Sequence, residues 1–174
     1  MKRRGGSRVH CAEDHGSRHQ EGAGGGRRAA GAIERHRPAA ASTGGPTPFG
    51  PTRLDEVSTW FEARLADPDA RVWLAEIEGR PVGYVLALFH TRDASRFTLA
   101  RRWCEVDQIA VDPTARRRGV ARALVTALAR KAEATGVAEL KAQTWGFNEV
   151  ARRTFEELGF EVESVRLRRD ARGG

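Results

Sequence analysis

Residues 111–124 read VDPTARRRGVARAL, so an apolar strand end runs through a turn and three arginines into a glycine and a helix. A helix N-terminus exposes unpaired backbone N–H groups and a partial positive charge, which together attract an anion such as a pyrophosphate. Gly119 would let such a ligand approach the backbone closely. Taken alone, the arginine run fits a phosphate cradle and a solvated basic patch equally well. It is not a P-loop, because no Lys-Ser/Thr follows the glycine. It is not a Rossmann dinucleotide-binding motif either, because only one of that motif's three glycines is present.

Apolar periodicity on both sides of this stretch predicts a mixed α/β sheet. The predicted elements are a helix from Thr52 with Leu54, Val57, Phe61 and Leu65 at helical spacing, a hairpin of strands 72–77 and 82–90, a strand at 104–111, a helix from Val120 that stops at Gly136, a strand at 139–145, a helix at 148–158 and a last strand at 160–167. Tyr84, the only tyrosine, lies in the hairpin and is predicted to be a core residue.

The formal net charge of +7 is unevenly distributed along the 174 residues. Residues 1–53 hold ten Lys/Arg against four Asp/Glu, whereas residues 54–174 hold twenty against nineteen. The second part is therefore nearly neutral, which argues against a nucleic-acid-binding protein.

Residues 1–50 hold eleven of the nineteen glycines and almost no apolar periodicity. They are predicted to be a disordered basic tail or a non-native start, with a nucleic-acid-binding arm as a further alternative, and residues 51–174 to be the folded domain. MKRRGG is followed by no apolar run, and two cysteines imply no disulfide framework. We therefore expect no signal peptide, no membrane span and a cytoplasmic location.

Two motifs in order resemble the GNAT superfamily of acyl-CoA-dependent N-acetyltransferases. Arg116-x-x-Gly119-x-Ala121 matches the signature R/Q-x-x-G-x-G/A, and FNEVARRTFEELGF (147–160) resembles the family's next motif. The likeness covers roughly residues 55 to 165. It implies an α+β fold, with a mixed, mostly antiparallel sheet whose central strands splay apart between flanking helices. The strand and helix that usually open this fold have no convincing candidate in residues 1–50.

The resemblance also implies that acetyl-CoA lies between the splayed strands as acyl donor, without a metal. Backbone groups of Ile109 and Val111 would pair with the pantetheine arm, although ordinary core packing also accounts for their side chains. The amides of residues 117–122 would hold the pyrophosphate, and Asn148 would contact the pantetheine from the other side. The implied cofactor-binding residues are Ile109, Ala110, Val111, Arg116, Arg117, Arg118, Gly119, Val120, Ala121, Arg122, Asn148, Ala151 and Phe155.

Acyl transfer to an amine requires a group that accepts a proton from the ammonium. The resemblance places this general base at Glu105, and Asp107 lies two residues further on the same strand face. The alternative is that both are ordinary solvent-facing charges. The Ile109 amide would be the oxyanion donor. Trp145 and Phe147 are candidates for the acceptor pocket or for the core.

One departure from the family concerns the leaving thiolate. Many members carry a tyrosine seven residues after the motif asparagine as general acid, and Phe155 stands there in this chain. Two functions follow: an N-acetyltransferase acting on a primary amine of a small molecule or protein, or a non-catalytic acyl-CoA-binding module. A homodimer is compatible with either. In the loop after the hairpin, Arg92, Arg96, Arg101 and Arg102 hint at an acidic acceptor, though a solvated loop explains them as well.

Overall fold

A computed structural model of the chain describes residues 9–14, 60, 62–167, 169 and 171. Five strands form one sheet in the order β1-β2-β3-β4-β5, antiparallel except for the parallel pair β4–β5. The strands are β1 (His10–Asp14), β2 (Ala70–Ile77), β3 (Arg80–Arg92), β4 (Arg101–Val111) and β5 (Leu140–Ala142), and the helices are α1 (Val120–Ala134) and α2 (Glu149–Glu157). Residues 62–66 are also helical. The start of the helix predicted from Thr52 lies outside the described residues.

Both faces of the sheet are covered. On one face, Leu124 and Leu128 of α1 are fully buried in a core that includes Val85 and Val106. On the other face, Tyr84 lies in a second core, against which Leu65 of the helical residues 62–66 packs. Tyr84 is fully buried, which confirms its prediction as a core residue. The predicted mixed sheet between helices is thus confirmed.

The predicted β2–β3 hairpin is confirmed, and its turn has a local cause. Glu78 and Gly79 both have positive φ, 54° and 72°. Two consecutive positive φ values are the geometry of a tight turn whose twist matches that of antiparallel strands. Glycine adopts this conformation without steric cost.

Strand β1 corrects the prediction that residues 1–50 contain no strand. It pairs antiparallel with β2, from His10 opposite Glu76 to Asp14 opposite Val72. The sequence of this strand, HCAED, lacks the alternation of apolar and polar residues that would predict a strand. A strand forms there because the open edge of β2 offers unpaired N–H and C=O groups. Residues 15–50 lie outside the described part of the chain, and the domain boundary at residue 50 stays a prediction.

Strand β4 departs from β5 halfway along its length. The two strands pair only at Cys104–Leu140, Glu105–Lys141 and Val106–Ala142. Directly beyond this pairing, the register with β3 shifts, because Leu86 faces Gln108 whereas Ala87 faces Val106. Asp107 is therefore the extra residue of a bulge, which bends a strand and increases its twist. Residues 107–111 of β4 are unpaired with β5, as expected for central strands that splay apart.

The last predicted strand, residues 160–167, is wrong. These residues pair with none of the described strands, and Val162, Val165 and Leu167 are 70%, 74% and 88% exposed. The alternation of FEVESVRL favours an extended chain, but a strand also needs a partner with matching register. β5 supplies only three residues, fewer than the predicted 139–145.

Candidate active site

The start of α1 forms an open backbone cradle. The Asp112 carboxylate accepts a hydrogen bond from the Thr114 amide at 2.7 Å and shapes the turn before the helix. Arg117 has φ 61°, and Gly119 at the N-cap has φ 80°. No side chain of the described residues caps α1, and a Cβ on Gly119 would meet none of their atoms within 4 Å. The first amides of α1 therefore face accessible space, which is the arrangement that suits an anion.

The arginines around this cradle differ in their contacts. Arg116, Arg117 and Arg118 are exposed, as a charge screen for phosphates requires. The Arg122 guanidinium instead donates to the Glu157 carbonyl at 3.0 Å and links α1 to the end of α2. Its side chain thus has a structural partner, which leaves its backbone amide as the group for the predicted contact.

Two of the arginines predicted to lie in the loop after the hairpin, Arg101 and Arg102, are instead the first residues of β4 and have structural partners. Arg101 donates to the Glu139 carboxylate at 2.9 Å, and Arg102 donates to the Thr135 carbonyl at the end of α1 at 2.9 Å. These contacts hold β4 against neighbouring segments. They explain both residues without an acidic acceptor.

A cavity of about 270 Å³ opens where β4 and β5 part. Its lining residues are Glu105, Val106, Asp107, Gln143, Thr144 and Trp145. The two predicted catalytic carboxylates and Trp145 therefore meet in one place. Phe147 stacks on the outside of this group, with its ring 5.9 Å from that of Trp145. Gln143 and Thr144 were missed because they follow the short strand β5, whose end the sequence pattern does not mark.

The environment of the carboxylates is partly buried and mixed in charge. Burial raises the pKa of Asp107, and the neighbouring Glu105 charge acts in the same direction. The Arg64 guanidinium, 3.7 Å from the Asp107 carboxylate, and His90 act against this rise. His90 Nε2 also lies 3.4 Å from Glu105 Oε2. Burial therefore makes the Asp107 carboxyl easier to protonate than a solvent-exposed aspartate.

Arg64 and His90 were both missed by sequence analysis. Arg64 comes from the helical residues 62–66 and His90 from the far end of β3. Only the pairing of β3 with β4 brings His90 beside Glu105, with His90 opposite Trp103 and Leu88 opposite Glu105. No signal in the linear sequence specifies that register.

The predicted pantetheine-binding strand lies at the splay. Ile109 and Val111 are opposite Val85 and Gly83 of β3, and their other strand edge is not paired with β5. Ala110 comes so close to β3 that a Cβ on Gly83 would lie 2.7 Å from its carbonyl oxygen. The backbone edge that an added strand would need is thus present.

The remaining predicted cofactor residues have local roles in α2. Asn148 is the N-cap, and its side-chain oxygen accepts from the Ala151 amide at 3.1 Å. Phe155 is half-buried and packs edge-on against Phe160 with ring centroids 5.2 Å apart. These contacts orient α2, and the predicted roles of all three residues toward the cofactor stay predictions.

Within the described part of the chain, no group of three or more His, Cys, Asp or Glu residues could hold a metal ion. No helix there is long and apolar enough to cross a membrane.

Known proteins share both the sequence pattern and the fold. The model of the acetyltransferase (GNAT) family matches residues 39–160. A tetramutant of the BH1408 protein from Bacillus halodurans superposes with a TM-score of 0.66 at 19% identity, over 70% of this chain and 79% of that one.

Two further solved structures cover almost the whole chain. The aminoglycoside acetyltransferase AAC(6')-Iy in complex with a bisubstrate analogue has a TM-score of 0.66 at 21% identity, over 94% of this chain and 99% of that one. A ribosomal-protein-alanine N-acetyltransferase from Brucella melitensis biovar Abortus 2308 has a TM-score of 0.64 at 22% identity, over 94% and 100%. No curated protein matches the chain.

Proposed function

The chain belongs to the acetyltransferase (GNAT) family, and we propose that this acetyl-CoA-dependent N-acetyltransferase acts on a primary amine, with Glu105 as general base. The observation that carries the proposal is the meeting of Glu105 and Asp107 in the cavity where β4 and β5 part. The amine belongs to a small molecule or to a protein.

The residues present fit the donor. A pyrophosphate needs backbone N–H donors and a surface without a Cβ, and the α1 N-terminus with Gly119 offers both. Arg116, Arg117 and Arg118 add positive charge around it. Bound acetyl-CoA supplies the acetyl thioester, and the unpaired edge of β4 from Asp107 to Val111 runs from the catalytic carboxylates toward this cradle.

The two carboxylates have different tasks in the proposal. An ammonium cannot attack a carbonyl, so its proton must pass to a base within hydrogen-bond reach. Glu105 takes this proton. Asp107, paired with Arg64 and more buried, provides negative charge that attracts and orients the ammonium. The Ile109 amide, on the strand edge beyond them, is the oxyanion donor.

The acceptor is a cationic amine of modest size at the reacting end. The cavity has two carboxylates for the charge and the half-exposed Trp145 ring for the carbon atoms next to it. An indole face also attracts an ammonium directly. Specificity for the rest of the acceptor resides in the exposed loop at residues 93–100.

Release of free CoA thiol, measured with acetyl-CoA and a panel of amines, tests the proposal. Glu105→Gln should lower kcat by about 10²- to 10⁴-fold and leave the Kd of CoA unchanged, because Glu105 lies away from the cradle. Glu149→Gln, an exposed change on α2, is the matched control and should behave as wild type. Full activity of the Glu105 variant would refute the assignment of the base. CoA binding without thiol release for any amine would indicate a binding module instead.

A further inference from the structure

The imidazole of His90 lies beside the proposed general base, Glu105, and has no part in the proposed acetyl transfer as it stands. His90 Nε2 is 3.4 Å from Glu105 Oε2. The His90 ring stacks on Trp103, with centroids 4.8 Å apart and planes 17° from parallel. This stacking fixes the plane of the imidazole and hence the direction in which Nε2 points.

His90 lies next to Glu105, which lines the cavity, and is itself partly exposed to solvent. Its Nε2 atom is buried and makes no hydrogen bond within the described residues, although Glu105 is close by. The His90 side chain as a whole is 35% exposed, so the opposite side of the ring reaches water. A buried nitrogen without a hydrogen bond is costly unless it has a function or a partner that moves toward it. Glu105 Oε2, at 3.4 Å, lies within reach to become that partner.

We propose that His90 is a positioning residue for acetyl transfer, which orients the Glu105 carboxylate and receives the proton that Glu105 removes from the amine. This inference rests on the proposed function. The proton leaves the ammonium nitrogen for a Glu105 oxygen and then passes to His90 Nε2, whose lone pair accepts it while Nδ1 keeps its own hydrogen. Glu105 returns to the carboxylate form, the imidazolium loses its Nδ1 proton to solvent, and tautomer exchange through water between turnovers returns the lone pair to Nε2.

The other charged groups near His90 have different roles. Asp107 is paired with Arg64, 3.7 Å away, and in the proposed function keeps the negative charge that orients the ammonium. An arginine guanidinium keeps its proton throughout the working pH range and has no lone pair to accept another. Arg92, two residues further on the same face of β3, is exposed and has the same limitation. Histidine is the side chain that ordinarily exchanges a proton between about pH 5 and pH 8.

The pH dependence of kcat at saturating acetyl-CoA and amine tests the relay, because it reports groups of the enzyme–substrate complex. In wild type, activity should require loss of two protons, one from Glu105 and one from His90, so the acid limb of log kcat against pH has a limiting slope of two. In His90→Gln the slope should fall to one. The value of kcat at neutral pH should fall roughly tenfold, less than the 10²-fold or more expected without the base.

Thr91→Ala is the matched control, because the exposed Thr91 side chain is the next residue of β3 and points to the other face. It should keep the slope of two. His90→Ala, assayed with added imidazole, is the second variant, and recovery of activity with imidazole would support the relay even if the glutamine variant folds poorly. Thermal unfolding and the Kd of CoA monitor the fold.

The outcomes separate this inference from the proposed function. If Glu105→Gln loses activity while His90→Gln keeps the wild-type kcat and slope, the relay is refuted and the base assignment stands. If neither change affects kcat, both are refuted. A loss of kcat in His90→Gln with an unchanged slope and no rescue by imidazole would also refute the relay, since it indicates a structural role only.

Discussion

A glutamate at Gly119 is the most direct perturbation of the donor site. Gly119 has φ 80° at the N-cap of α1, and a Cβ there would point into space that no described atom occupies within 4 Å. A side chain is therefore accommodated without a clash. It would occupy the volume in which the proposed pyrophosphate lies. Gly119→Glu thus separates the requirements of the fold from those of the ligand.

Gly119→Glu should lower both the Tm and the affinity for CoA. A left-handed backbone costs a residue with a Cβ about 1–2 kcal/mol, which lowers the Tm of a domain of this size by about 2–4 °C for each kcal/mol. The glutamate carboxylate would lie near the phosphate charge. At about 4 Å and an effective dielectric constant of about 20, the repulsion is about 4 kcal/mol per charge pair, which weakens CoA binding by more than about 10²-fold.

The same chain provides a matched control at the other end of α1. Gly136 has φ 74°, and the nearest atom to a Cβ there is an Arg102 nitrogen at 3.5 Å, an ordinary contact. Gly119 directly precedes the 15 residues of α1 and Gly136 follows them after Thr135, so the two glycines lie about 25 Å apart. Gly136→Glu should lower the Tm as Gly119→Glu does, with CoA affinity unchanged. Isothermal titration calorimetry with CoA and thermal denaturation measure both quantities. CoA binding of wild-type strength in Gly119→Glu would refute the phosphate cradle.

Three further predictions concern the site and the core. Burial raises the pKa of Asp107, so the folded state binds the carboxyl proton of Asp107 more tightly than the unfolded state does. Ionised Asp107 therefore destabilises the fold at pH values above its folded-state pKa. This cost disappears below the ordinary pKa of about 3.9. As pH rises from acid to neutral, Asp107→Asn should therefore lose less free energy of unfolding, measured by chemical denaturation, than wild type. Parallel plots of this free energy against pH for the two proteins would contradict the prediction and show that Arg64 offsets the effect of burial. Gly83→Ala should destabilise the fold by about 1–3 kcal/mol, because its Cβ would lie 2.7 Å from the Ala110 carbonyl oxygen; an unchanged urea midpoint would show that β3 and β4 can separate there. Phe155→Tyr should raise kcat, by up to about 10²-fold if departure of the thiolate limits the rate, and an unchanged kcat in the thiol-release assay would place the limiting step elsewhere.

The elements that could be predicted from sequence are those with local causes. The hairpin, α1 and α2 have a strong apolar period, a turn with two positive φ values, or a cap such as Asn148. The predictions for strand β1 and for residues 160–167 were wrong in opposite directions. HCAED has a weak pattern and a partner, whereas FEVESVRL has a strong pattern and pairs with no described strand. A strand depends on the availability of a neighbouring edge, which no single segment encodes.

The residues of the site also fall into those that could be predicted from sequence and those that only the fold brings together. Glu105 could be named from the resemblance to the GNAT superfamily, and alternation along the strand placed Asp107 on the same face. His90 and Arg64 could not, because they belong to segments separated from that strand in sequence and are brought to it by register and packing. The roles of Arg101 and Arg102 were likewise invisible, since their partners Glu139 and Thr135 lie more than thirty residues away.

The sequence by itself indicated the family, the open helix start at Gly119 and the shared strand face of Glu105 and Asp107, because each depends on neighbours within a few residues along the chain. Only the tertiary structure decided where β4 leaves β5, which side chains surround the carboxylates, and which arginines serve the fold. The physical reason is visible at Asp107: one extra residue shifts the register with β3, the pairing with β5 ends directly before it, and the cavity lies at this point. Whether a residue is extra can be defined only against the strand opposite, and that strand is distant in sequence.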